Sequence, residues 1–196
     1  MNNMTLPRRL LVYVVASENG LAPNVTGDQC SLTVCKPQVR LAATPGEDWV
    51  IGMSTTKHGK DRLIYAMQVA EKLGYDAFFT DPRFAAKKPT PQNPWGDNFF
   101  CATAEGLALS TPVAAHAGKP DALKRDLKAP YAVIGAPYWY FGANAPTLPK
   151  HLRATRIVQG NRRGHRVITD PKVIRAFCTW LTKAYPAGTH GTPRDL

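Results

Sequence analysis

Three aromatic side chains stand in a row at Tyr138, Trp139 and Tyr140. Soon after them comes a stretch without a single acid, which carries Lys150, His151, Arg153, Arg156, Arg162, Arg163, His165 and Arg166. Flat rings offer stacking surface, arginine and lysine hold phosphates, and amide side chains read base edges. On that chemistry Tyr138, Trp139, Tyr140, Asn98, Gln159 and Asn161 are the candidates for holding a base. Lys36, Arg40, Lys57, Lys60, Arg162, Arg163 and Arg166 are the candidates for holding phosphate. Each has a plainer alternative. In a regular strand Trp139 points opposite to its neighbours, so at least one of the three aromatics packs a core. The cations at 36 and 40, in the 57–60 loop and in the basic stretch could be no more than solvated surface, and Asn98, beside Gly96-Asp97, could simply close a turn.

Catalytic signatures are scarce. Gly135 and Gly142 have the wrong spacing for a phosphate or dinucleotide cradle, and no Gly-x-Ser-x-Gly elbow occurs. His58, His116, His151, His165 and His190 form no metal-spaced helical pair. Cys30 and Cys35 lack a second close pair, so they do not read as a zinc set. Neither a metal nor a cofactor is expected. His58 and His165 are left as the candidates for acid or base work, and no pair of carboxylates stands out beside them. The cysteines read as buried thiols of a reducing cytoplasm.

The elements that must position these groups follow from pattern. The spine is 46–71. Trp49 to Met53 is a short apolar strand, and Arg62 to Glu71 partly alternates, with Leu63, Tyr65, Met67 and Val69 on one face. The loop between them, Ser54 to Asp61, is polar and basic and belongs to the functional rim. Leu10 to Val15 is apolar throughout, as a central strand covered on both faces would be. Cys30 to Arg40 reads as a short helix with Leu32, Cys35 and Val39 inside and Lys36 and Arg40 outside. Tyr75 to Phe84 could be a helix ended before Pro82, and 85–98 is a long loop of the kind that is usually functional or mobile. Phe99 to Ala102 could be a strand, Glu105 to Lys128 has no clear assignment, and Tyr131 to Phe141 begins as a strand. At Asp170-Pro171, Asp can cap and Pro can open a helix, in which Val173, Ile174, Phe177, Leu181 and Ala184 recur at helical spacing. The tail reads as irregular.

The expected architecture is one α+β domain over residues 1–196: a curled β-sheet or small β-barrel with flanking helices. With 196 residues, 44% of them hydrophobic, it can bury a real core. No apolar run reaches the roughly 20 residues that span a bilayer, so no membrane association is expected. A formal net charge of +11 attracts polyanions, with nucleic acid the usual one.

Several motifs in series, Leu11-Val12-Tyr13-Val14-Val15, Cys35 to Arg40, Asp48 to Gly52, Arg62 to Val69, Gly96-Asp97-Asn98, Tyr138 to Gly142 and Gln159 to His165, resemble the nucleotide-modification-associated domain 2 family. The likeness covers most of the chain. It implies a phage or bacterial DNA-modification context rather than a defined reaction. More distantly, Gly46-Glu47-Asp48-Trp49-Val50-Ile51-Gly52 followed by Leu63 to Val69 is similar to the PUA-like group, which includes the EVE and YTH domains. There a small curled barrel holds a modified base between aromatic walls. The resemblance implies a domain that binds nucleic acid, DNA favoured, or a modified nucleotide, and takes a base into an aromatic and basic pocket. Two alternatives stay open: an enzyme of base or nucleotide hypermodification using the same pocket, and a non-catalytic subunit working with other DNA-modification proteins.

Overall fold

A computed structural model of the chain describes residues 6–111, 120–158 and 164–195. Its backbone is a mixed sheet of seven strands: β1 (Arg9–Val14), β2 (Cys30–Leu32), β3 (Asp48–Met53), β4 (Leu63–Gly74), β7 (Tyr131–Tyr140), β8 (His165–Ile168) and β9 (Gly188–Thr189). Their order is β2-β7-β4-β3-β1-β8, with β9 beside the far end of β7. β1 runs parallel to β3, and β9 to β7; the other pairs are antiparallel. β5 (Phe100–Thr103) and β6 (Gly106–Leu109) form a separate hairpin. The helices are α1 (Pro37–Ala42), α2 (Tyr75–Thr80), α3 (Pro120–Leu127), α4 (Lys150–Arg153) and α5 (Pro171–Ala184).

The apolar strands fall where their composition requires. β1 lies between β3 and β8, and Leu10, Leu11 and Val12 are fully buried. Register irregularities along β4 at Met67/Val69 and Val69/Glu71 bend the sheet. Among the described residues the sheet stays open and closes into no barrel.

Cross-strand partners share a face, so the register sorts the side chains. Leu10, Val12, Trp49, Ile51, Ala66 and Trp139 lie on one face; Leu11, Tyr13, Val50, Tyr65, Met67 and Tyr140 lie on the other. Helix α5 belongs to the first. Asp170 caps it by accepting from the Lys172 amide at 2.8 Å, Pro171 opens it, and Ile174, Phe177 and Leu181 are buried. Just past its end the Tyr185 carbonyl accepts the indole N–H of Trp139 at 3.1 Å.

The structure departs from expectation between Cys30 and Arg40. Cys30–Leu32 is a strand on β7, and the helix begins only at Pro37. Cys35 and Lys36 turn the chain between them with φ of 59° and 41°. Proline fits the first helical position, which leaves Cys35 and Lys36 outside the helix. Arg40, expected outside, is fully buried. The stretch left unassigned holds β6 and α3, and the tail contributes β9. No helix among the described residues is long and apolar enough to cross a membrane.

Candidate functional site

A cleft of about 630 Å³ opens at the carboxyl end of β1, on the face that carries Tyr13. Tyr13, Leu21 and Ala22 line its apolar side, Trp95 stands in its wall, and Lys36, Gln38, Arg125 and Lys128 line the rest. Lys36 Nζ sits over the Tyr13 ring, 5.1 Å from its centre, and burial lowers the lysine's pKa. The Tyr13 and Tyr65 hydroxyls share a hydrogen bond of 2.8 Å, and burial raises both phenols, which stay protonated.

Two adjacent non-glycine residues in the left-handed region are costly, at roughly 1–3 kcal/mol each, and need over-determined surroundings. Those surroundings are buried charges. The Cys35 amide donates to Asp126 Oδ1 at 2.7 Å, and Arg40 Nε donates to the Cys35 carbonyl at 2.9 Å. Arg40 also donates to the Asp126 carbonyl at 3.0 Å, the Tyr75 hydroxyl at 2.8 Å, the Tyr131 carbonyl at 3.1 Å and the Ala129 carbonyl. Its guanidinium therefore ties the turn bearing Lys36 to the end of α3, which bears Arg125 and Lys128. On the opposite wall, Asn24 Nδ2 donates to the Trp95 carbonyl at 3.0 Å and to the Gly20 carbonyl at 3.0 Å. Burial and Asp126 raise the Cys35 thiol, which leaves it protonated rather than nucleophilic.

The expected residues divide. Lys36 lines the cleft. His165 pairs with Tyr13 across β1 and β8 and shares its face; burial lowers its pKa, so the imidazole is neutral at pH 7. Arg166, next along β8, pairs with Val12 on the opposite face and donates to the Arg156 carbonyl at 3.3 Å. His165 and Arg166 thus lie on opposite faces of the sheet. Arg40 is not a phosphate ligand, because its donors are engaged by buried acceptors. Trp139 stacks on Trp49 with ring centres 5.2 Å apart, and Tyr140 is fully buried with its hydroxyl on Glu18 at 2.5 Å. Those two rings are covered in the core, where no base can stack on them. Tyr138 is half-buried, with its hydroxyl 3.2 Å from Thr189 Oγ1. Asn98 is buried and donates to the Phe78 and Phe84 carbonyls at 3.0 and 3.1 Å, holding the long loop in place. Lys57 and His58 line a second, smaller hollow, and Lys60 is exposed in the same loop. Gln159, Asn161, Arg162 and Arg163 lie outside the described residues; Gly164, which follows them in the chain, lines the cleft.

Sequence reasoning missed Tyr13, Trp95, Arg125 and Lys128. Trp95 had a signal, being the one large aromatic in a long proline-rich loop. Arg125 and Lys128 had none, because α3 was not legible. Among the described residues no three His, Cys, Asp or Glu side chains gather as a metal set.

The described residues thus form an open α+β sheet that carries an aromatic-walled, cation-rimmed cleft. The chain belongs to the nucleotide modification associated domain 2 family, whose model matches residues 8–196. No curated protein and no solved structure matches it.

Proposed function

We propose that this domain binds nucleic acid or a nucleotide in a DNA-modification setting and takes a modified base into the Tyr13–Trp95 cleft. One observation carries the reading: the cleft joins stacking surface to three cations, and a buried ion network holds its Lys36 turn in a strained conformation. The volume suits a small ligand, since such sites run to roughly 300–1,000 Å³. The bent, bulged sheet and the base-sized hollow at its edge support a PUA-like arrangement. Base capture then works by stacking on Trp95 and by contact with the Gln38 amide, while Lys36, Arg125 and Lys128 hold phosphate.

The test is fluorescence anisotropy with oligonucleotides that carry modified or unmodified bases. Trp95→Ala should weaken binding by about 1–3 kcal/mol, the range of one lost base stack. Lys36→Ala and Arg125→Ala should flatten the salt dependence, because each phosphate contact releases counterions. Affinity that is independent of salt, or untouched by Trp95→Ala, would refute the reading. A catalytic version is favoured by His165, whose neutral imidazole shares the Tyr13 face. Turnover of a modified nucleotide that disappears in His165→Gln while binding persists would establish it.

A further inference from the structure

The second hollow, about 340 Å³, lies at the carboxyl end of β3. Among the described residues Ser54, Lys57, His58, Arg62, Gly142 and Arg194 line it and no carboxylate does; the nearby Asp195 carboxylate is taken up by Arg194. Two of its polar groups lack partners. Ser54 is 1% exposed and its hydroxyl makes no hydrogen bond. Arg194 gives Nε and Nη2 to Asp195 at 2.9 and 3.2 Å and leaves Nη1 buried and unpartnered. Next to Ser54, the buried Thr55 hydroxyl is also unpartnered. Buried donors are seldom left unmade, because each costs the full desolvation of its group. A guanidinium can only donate, so whatever completes this site must supply acceptors.

The walls are held independently of any ligand. The Arg194 amide donates to Glu18 Oε2 at 2.6 Å, and the Asp195 amide donates to the Glu18 carbonyl at 2.8 Å. The Ala143 amide donates to the Thr192 carbonyl at 2.9 Å. A Cβ at Gly142 would collide with that carbonyl, so the tail lies directly on this turn. Glu18 lies between Ser17 and Asn19, both lining the base cleft, and the Glu18–Arg194 contact therefore forms part of the wall between the two hollows.

We infer that this second hollow is an oxyanion site for a phosphate group: Ser54 Oγ and Arg194 Nη1 donate to its oxygens, and Lys57 and Arg62 neutralise its charge. The inference goes beyond base capture and does not require it. The phosphate could come from free inorganic phosphate or from the 5′-phosphate of a nucleotide.

Calorimetric titration of the full chain tests it, with inorganic phosphate, a nucleoside 5′-monophosphate and the matching nucleoside as separate arms, and chloride at equal ionic strength as control. Inorganic phosphate should bind and raise the melting temperature where chloride does not. Ser54→Ala should weaken it on the order of tenfold. Lys57→Ala/Arg62→Ala changes exposed side chains alone and should abolish binding with the fold intact. Lys36→Ala/Arg125→Ala, which removes two of the cleft's three cations, should leave phosphate affinity unchanged, which separates this site from the cleft. Tighter binding of the monophosphate than of inorganic phosphate identifies a nucleotide source; equal binding identifies the free ion. Absence of phosphate binding, an equal effect of chloride, or full binding by Lys57→Ala/Arg62→Ala would overturn the assignment.

Discussion

The two faces of the sheet are held by different forces. On the α5 face, Trp49, Ile51, Trp139, Phe177 and Leu181 pack with few polar atoms, and the indole of Trp139 is satisfied by a single backbone carbonyl. On the opposite side, tyrosine hydroxyls meet each other or the buried Glu18, and Arg40 and Asp126 lie buried beneath the Lys36 turn. Apolar burial is strong but non-directional. It stabilises a sheet without dictating where loops stop. Hydrogen-bonded charges are the reverse: costly to desolvate, and demanding in geometry. The cleft borders the Tyr13 side, and the second hollow is tied to it through the contact of Arg194 with Glu18, so directional bonds fix the loop positions around both.

The comparison can be broken most forcefully at Arg40. Arg40→Met should destabilise the fold by about 3–5 kcal/mol, because it removes the buried partner of Asp126, leaves that carboxylate only the half-exposed Arg125, and strips the Cys35, Ala129 and Tyr131 carbonyls of their buried donor. Released from its anchor, the Cys35–Lys36 turn should also lose ligand binding in the molecules that remain folded; urea denaturation and anisotropy read the two effects separately. Phe177→Ala should cost a comparable amount, about 3–5 kcal/mol by the same denaturation measurement. Yet its folded fraction should bind with unchanged affinity. If both variants reduced intrinsic affinity equally, the division of labour between faces would be wrong.

The smallest effect concerns pH. The His165 imidazole has its pKa lowered from 6.5 by burial. As pH falls through that value the unfolded chain takes up a proton that the folded chain resists, so stability falls. His165→Gln should therefore make the loss of stability between about pH 7 and 5 shallower, by thermal melts across that range. An unchanged slope would place the imidazole in contact with solvent rather than against Tyr13.

Much of the fold was legible. β1, β3, β4, β7 and α5 each announce themselves through local pattern: an unbroken apolar run, alternation, or a capped helical repeat. The candidate site was legible only in its chemistry. Aromatics beside cations do meet in the cleft, as Tyr13, Trp95, Lys36, Arg125 and Lys128, but Trp139 and Tyr140 went to the core. A strand with consecutive large rings satisfies both faces of a sheet at once, and the register to β4 decides how deep each ring lies. The Lys36 turn was hidden because left-handed backbone at Cys35 and Lys36 carries no glycine to mark it. Helix α3 was hidden because a short amphipathic segment with few apolar residues differs little from loop.

By itself the sequence determined a positively charged α+β domain with a strand-rich core and a C-terminal helix, because charge and apolar periodicity are properties of neighbouring residues. Tertiary structure alone decided which cations share a hollow. Arg40 finds the Asp126 carbonyl 86 residues away, and β8 sends His165 and Arg166 to opposite faces. A buried charge is placed by whichever distant partner removes its desolvation cost, and that partner exists only once the chain has folded.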